Sequence, residues 1–97
     1  MFARVHVLQA TPEQSEAGLK IFREQLRPWL RDASGYRGLI RLEDKENDRT
    51  LVITFWEDEA ALEASMEAGD QLAELTAENT GAKRLAIELY EATLFDV

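Results

Sequence analysis

Apolar and polar residues alternate along the first segment of the chain, Phe2–Gln9, which is rich in valine. A period of two with this composition is typical of a β-strand whose two faces meet different surroundings. Similar alternation recurs in residues 36–43, 50–56 and 83–95. The pattern therefore predicts four strands.

A first helix is predicted directly after the first strand. Thr11 can cap it, Pro12 suits its first position, and Gln14 can complete a capping box. An apolar stripe at helical spacing follows, formed by Leu19, Phe22, Leu26 and Leu30. Because Pro28 lacks an N–H and clashes with the preceding turn, we expect the helix to kink or end near Arg27.

A second helix is predicted between the third and fourth strands. Asp58 is a competent N-cap, and Gly81 is a natural terminator. Gly69 and Asp70 suggest a break or a second cap within it. The element order is then βαββαβ, an α+β ferredoxin-like fold with both helices on one face of an antiparallel four-stranded sheet. A length of 97 residues suits a single domain spanning 1–97.

The alternation also predicts which residues meet the helices. Leu51, Ile53 and Phe55 are uniformly apolar, so we expect this row to face the helices. The other sheet face, which we call the open face, would then be of mixed character, as suits an interface around a small cavity. Its predicted members are Arg4, His6, Leu8, Arg37, Leu39, Arg41, Val52, Thr54, Trp56, Glu88 and Tyr90.

Composition narrows the classes of function. A net charge of −8 argues against a nucleic-acid partner, whose phosphates require Lys and Arg. The absence of cysteine excludes disulfides and thiolate ligands and fits a cytoplasmic protein. One histidine without cysteine forms no standard zinc site, so no metal is expected. The first ten residues, MFARVHVLQA, indicate neither a signal peptide nor a membrane span.

Charged residues are unevenly distributed along the two helices. Residues 57–78 hold eight acids and no base, whereas the first helix carries a basic row, Lys20, Arg23, Arg27 and Arg31. Two solvated helix faces that attract each other account for this pattern. An acidic docking surface for a partner is the alternative.

Two short stretches resemble a known family. They are SGYRG at 34–38 and FWEDEAAL at 55–62, and with the element order they resemble antibiotic biosynthesis monooxygenases over nearly the whole chain. The resemblance implies that two copies pair through their open faces into a dimeric α/β barrel. It also implies cofactor-independent oxygenation of an aromatic phenol, quinol or polyketide-like molecule, with no bound cofactor.

Under this resemblance, His6 is the candidate base, Glu88 could orient it, and Arg41 could stabilise a phenolate. The predicted substrate-binding residues are Trp56, Tyr90, Arg4, Arg37, Thr54 and Leu39, of which the two aromatic side chains could stack on the substrate. The alternative interpretation is structural: His6 would form a hydrogen bond across a dimer interface, and the arginines would form salt bridges between chains.

The chain departs from the family pattern in its second helix. Similar quinol-oxidising and heme-degrading proteins place histidine there, but the corresponding residues are Ser65 and about Asp70. Heme degradation is therefore not expected, and quinol oxidation would need other residues. Two alternatives stay open: a non-catalytic ligand-binding or stress-responsive barrel, and isomerase-type chemistry that needs a base but no oxygen.

Overall fold

A computed structural model describes residues 1–96, and the elements follow the predicted order. The strands and helices are β1 Phe2–Gln9, α1 Pro12–Ile21, α2 Arg27–Asp32, β2 Tyr36–Asp44, β3 Arg49–Trp56, α3 Glu59–Thr80 and β4 Lys83–Glu91. The sheet has the order β2-β3-β1-β4, and every neighbouring pair is antiparallel. The predicted ferredoxin-like α+β fold is therefore confirmed.

The predicted helix caps form. The Thr11 hydroxyl accepts from the Gln14 backbone N–H at 3.3 Å, and the Gln14 side chain accepts from the Thr11 N–H at 2.9 Å. Asp58 caps α3 by accepting from the Ala61 N–H at 2.8 Å. Gly81 ends α3 in the left-handed conformation, with φ 78°. Local sequence signals thus set where both helical segments begin and where the second ends.

The helical backbone does not end near Arg27. A π-helical turn, Phe22–Leu26, joins α1 to α2, and the Arg27 N–H donates to the Phe22 carbonyl. A local π adjustment of this kind lets a helix continue past a proline. Leu30, beyond Pro28, is buried in the core, so the apolar stripe keeps its contact with the sheet.

Two other predicted boundaries are wrong. Helix α3 runs unbroken through Gly69 and Asp70, because the helix tolerates a single glycine at a cost of about 1 kcal/mol. Strand β4 ends at Glu91, and the chain then crosses the open face, where the Phe95 ring meets Phe55 edge-on at 5.2 Å.

The predicted assignment of the faces of β1, β2 and β3 is also wrong. Trp56 is only 2% exposed and forms the core with Leu30 of α2 and Leu62 of α3, so its row meets the helices. Alternation separates two rows but does not say which row the helices cover. In β4 the prediction holds for Ile87 and Leu89, which pair with His6 and Arg4 on the helix side.

On strands β1, β2 and β3 the open face is instead the uniformly apolar one. Its members on these strands are Ala3, Val5, Val7, Ile40, Leu42, Leu51, Ile53 and Phe55. Leu42 is 48% exposed and no helix covers this side. Within residues 1–96, no helix has the length and apolar character needed to cross a membrane.

Candidate functional site

A cavity of about 110 Å³ lies between the helices and the sheet. The sheet contributes Arg4, His6 and Trp56 to its lining, and the helices contribute Trp29 and Gly69. A single water needs roughly 10–15 Å³ by this kind of measure, so the space exceeds a water site. Its arginine and histidine side chains belong to two clusters, which differ in how completely they are hydrogen-bonded.

Trp56 forms a fixed aromatic wall. Its indole N–H donates to the Thr54 hydroxyl at 3.0 Å. The Tyr36 ring packs against it edge-on, with centroids 5.7 Å apart. Because the polar end of the indole is satisfied and its rings are packed, the orientation of this wall is set before any ligand binds.

The first cluster consists of Arg4, His6, Asp70 and Arg84 and is called the Arg4 cluster. The buried Arg4 guanidinium donates to Asp70 on α3. Arg84 Nη1 lies 3.7 Å from the same carboxylate oxygen. A side chain at Gly69 would come within 3.3 Å of Arg4 Nη1, so this glycine leaves room for the guanidinium under α3.

The Arg4 cluster contains buried polar atoms without partners. Arg4 Nε, His6 Nδ1 and Arg84 Nη1 have no hydrogen bond within the described part of the chain. Leaving a buried donor or acceptor unpaired costs about 1–3 kcal/mol, so such groups are rare away from sites that bind water or a ligand. At this end of the cavity, unpaired polar atoms are therefore available to form hydrogen bonds with a bound water or polar ligand.

His6 is neutral at pH 7. Burial, followed by the positive charges of Arg4 and Arg84, lowers its pKa from 6.5 to about 4. A neutral imidazole can accept a proton, and an anion held beside it raises its pKa. The two arginines would favour binding of such an anion. Binding an anion in the cavity would therefore make His6 a stronger base.

The second cluster consists of Ser15, Arg41, Glu43 and Thr50 and is called the Arg41 cluster. Arg41 Nη2 donates to the Ser15 carbonyl at 2.9 Å and to its hydroxyl at 3.0 Å, and Nη1 donates to Glu43. The Ser15 hydroxyl donates to Glu43 at 2.7 Å. That hydrogen bond is the main cause of the lowered pKa of Glu43. Arg41 is thus committed to its own network.

The structure brings together most, though not all, of the predicted site residues. His6, Arg41, Arg4, Thr54 and Trp56 line the cavity. Leu39 packs beside the core cluster on the same side of the sheet.

The remaining three predicted residues lie elsewhere. Arg37 is 52% exposed and pairs with Glu57 at 3.1 Å. Glu88 and Tyr90 pair with Val5 and Ala3 on the open face. The expectation that Glu88 orients His6 is therefore wrong within one chain, because the two side chains occupy opposite faces of the sheet.

Sequence reasoning missed Arg84 and Asp70 as members of the site. Simple alternation from Ile87 puts Arg84 on the open face, but a register shift in β4 pairs Arg84 with Leu8 on the helix side. The sequence suggests a helix break at Asp70. The signals that could have found it are its position beside a mid-helix glycine and its correspondence to a second-helix histidine of similar proteins.

This arrangement suits acid–base chemistry on an aromatic molecule. One end of the cavity supplies a proton acceptor, His6, and the Arg4 guanidinium, and the wall is aromatic. Across residues 1–96, no group of three or more His, Cys, Asp or Glu side chains could hold a metal ion.

The family model of the antibiotic biosynthesis monooxygenases matches residues 1–78. None of the curated proteins matches the chain. Solved structures with the same fold include a candidate antibiotic biosynthesis monooxygenase from Deinococcus radiodurans, at 19% identity and a TM-score of 0.71. The match covers 100% of this chain and 97% of that one.

Two further solved structures come from Streptomyces. One is a monooxygenase from the gene ActVA-Orf6 of Streptomyces coelicolor, in complex with nanaomycin D. It matches at 15% identity with a TM-score of 0.67, and the match covers 99% of this chain and 92% of that one. The cofactor-independent oxygenase SnoaB of Streptomyces nogalater matches at 13% identity, TM-score 0.70, covering 97% and 94%. At these identities the likeness establishes the fold.

Proposed function

The chain belongs to the antibiotic biosynthesis monooxygenase family, and from this premise we propose that it oxygenates an aromatic phenol or quinol without a cofactor. The observation that carries the proposal is the Arg4 cluster, where buried, unpartnered polar atoms meet an aromatic-walled cavity. Those atoms can accept a proton and stabilise an anion at the same place. Nanaomycin D in the Streptomyces coelicolor protein is a further support for a ligand of this kind.

In the proposed reaction, the neutral imidazole of His6 takes the phenolic proton. Arg4 stabilises the resulting phenolate, whose electron-rich ring carbon forms a bond to dioxygen and gives a peroxide anion. The imidazolium returns its proton to that anion, giving a hydroperoxide. Loss of the hydrogen on the same carbon and cleavage of the O–O bond release water and leave a quinone. Phenol and dioxygen thus give quinone and water.

The roles of the predicted residues differ under this proposal. Arg4 replaces Arg41 as the group that stabilises the anion, because Arg41 is already hydrogen-bonded to Ser15 and Glu43. Trp56 remains the aromatic wall, with Thr54 holding its indole. Glu88 and Tyr90 have no part in the cavity of their own chain.

The same proposal includes a homodimer formed through the open face. This face presents an apolar surface in which Ile40 is 39% exposed and Leu42 is 48% exposed. A contiguous apolar patch of this kind is typical of an interface. Light scattering at micromolar concentration should give twice the chain mass, and a monomer there would exclude the enclosed barrel.

A non-catalytic binding protein is the second candidate. A pKa of about 4 makes His6 a weak base, and this observation favours simple binding over proton abstraction. Binding alone would raise the melting temperature in the presence of ligand without turnover.

Oxygen uptake tests the proposal. Chelator-treated protein is assayed against anthrones, naphthols and quinols, alongside His6→Ala, Trp56→Phe and the control Arg37→Gln, whose side chain is exposed. We expect uptake that His6→Ala reduces at least about 100-fold, as for loss of a general base, and that the control retains. Ligand-induced stabilisation without uptake would favour the binding protein, and product formed without oxygen would indicate an isomerase.

A further inference from the structure

The cavity is small for the ligand class proposed above. Its volume of about 110 Å³ is of the order of the roughly 150 Å³ of an engineered cavity that binds one benzene ring, and is the smaller of the two, so one ring is the most that it can hold. A molecule of two or more fused rings therefore cannot lie wholly inside. If the reacting ring occupies the inner cavity, the remaining rings need a second compartment.

A surface groove between α2 and α3 adjoins the cavity. It has a volume of about 330 Å³ and shares two lining residues with the cavity, Trp29 and Ser65. The remaining lining is mostly methyl groups, from Ala33, Ala61, Ala64 and Ala68. Asp32, the last residue of α2, and Ser34, just after it, complete the lining. The shared Trp29 and Ser65 form the partition between the two spaces.

The partition offers an aromatic surface, and the hydroxyl hydrogen of its serine is already used within α3. Ser65 donates its hydroxyl to the Leu62 carbonyl at 2.7 Å, so its hydrogen is not available to a ligand. Trp29 is half-buried against the core cluster, and it follows the π-helical turn and Pro28 directly. Trp29 is therefore the large side chain that lines both the groove and the cavity.

Another cleft also borders the cavity, but it does not suit aromatic rings. It shares Ala10 and Ser15 with the cavity, holds only about 10 Å³, and is lined by Glu43, Lys45 and Arg49 among others. Fused rings gain most from apolar and aromatic contact, which the alanine-lined groove provides.

We propose that the groove between α2 and α3 is an outer subsite that holds the distal rings of a fused-ring substrate, with Trp29 at the boundary. The inference rests on the proposed function, because it assumes that an aromatic ligand occupies the inner cavity. Under this proposal, the groove determines how many fused rings a substrate can have. Trp29, which borders the groove, is then a residue that determines substrate specificity.

The test compares a one-ring ligand, hydroquinone, with a three-ring ligand, anthrone. Binding is measured by calorimetry under anaerobic conditions, so that no turnover occurs. The variant Ala64→Phe fills the groove at an exposed position on α3. Ala60→Phe is the matched control, because residue 60 is exposed on the same helix and lines neither space. Ala64→Leu serves as a milder second variant.

We expect Ala64→Phe to raise the Kd for anthrone at least about tenfold, with a smaller rise in Ala64→Leu. The Kd for hydroquinone should stay within about twofold in every variant, which also shows that each variant is folded. An unchanged Kd for anthrone, or an equal loss for both ligands, would overturn the outer subsite and leave the proposed function intact. Failure of the unmodified protein to bind either ligand would overturn both.

Discussion

The two arginine clusters at the cavity use the same residue type in opposite ways. Arg41 donates three hydrogen bonds to a serine and a glutamate, and its partners are hydrogen-bonded to each other. Arg4 pairs with a carboxylate that lies near a second guanidinium, and its Nε has no partner among residues 1–96. Each arginine lies under a helix glycine, Gly18 for Arg41 and Gly69 for Arg4.

The difference separates structural from functional arginine. A guanidinium whose two Nη groups both donate within the chain, as in Arg41, stabilises the fold and has less capacity left for a ligand. A buried guanidinium with unpaired donors leaves the folded chain less stable than it could be. Such unpaired groups are typical of sites where a bound ligand supplies the missing hydrogen bonds. The predictions below test this division.

The largest effect is expected on activity. Arg4→Met should lower kcat/KM by about 10²–10³, as for removal of a group that stabilises a developing anion, whereas Arg41→Met should lower it less than about tenfold. Oxygen-uptake kinetics on the same substrate measure both. Equal losses in the two variants would remove the functional distinction between the clusters.

The next effect is on stability. Arg41→Met should lower the free energy of unfolding by about 2–3 kcal/mol, because it removes charge-assisted hydrogen bonds to Ser15 and Glu43. The comparison is Arg37→Met, whose exposed ion pair with Glu57 should contribute less than about 1 kcal/mol. Urea unfolding gives both values. A loss in Arg37→Met as large as that in Arg41→Met would contradict the structural role of the network.

The smallest effect is a change in one titration. His6 is the chain's only histidine, so its imidazole resonances can be assigned without ambiguity. NMR should give a pKa of about 4. Arg84→Gln should raise that pKa by removing a nearby positive charge, whereas Arg41→Gln should leave it unchanged.

The same titration predicts how stability depends on pH. Because folding lowers the pKa of His6 from 6.5, the unfolded chain binds the proton more readily. The contribution of neutral His6 to stability is full above pH 6.5 and is lost as the pH falls towards about 4. A wild-type imidazole that titrates near 6.5 would refute the burial and charge environment described for it.

The fold was predictable because its signals are local. The capping box of Thr11 and Gln14, the Asp58 cap and the Gly81 terminator each act within one turn of chain. They set the order of the elements without reference to distant residues. The hairpin between β2 and β3 is likewise local, with Asn47 donating its side-chain amide to Asp44 at 2.8 Å.

The faces of the sheet were not predictable in this way, because both rows of β3 are suited to burial. Leu51, Ile53 and Phe55 are more apolar, but Thr54 and Trp56 satisfy each other by a hydrogen bond and can be buried as a pair. Only the path of the helices decides between the rows. Arg84 shows a second limit, since one register shift in β4 moves it to the face of His6.

The sequence therefore predicts which residues form the candidate site better than it predicts where they lie. His6, Arg4 and Trp56 were selected together because they share a row, and the structure keeps them together on the other face. The prediction brings Glu88 to His6 because it assigns the His6 row of β1 to the open face; Glu88 does lie on that face, but His6 lies on the helix side.

The π-helical turn Phe22–Leu26 has a consequence for chain length. The i→i+5 turn holds one residue more than an α-helical turn between the same two segments, so deleting one residue, such as the exposed Gln25, would let a regular helix form while Trp29 and Leu30 keep their orientation. Restoring α-helical hydrogen bonds without a deletion would instead rotate everything after the turn by about 100°, and Leu30 would leave Trp56. The turn therefore accommodates one residue that the core after it does not need.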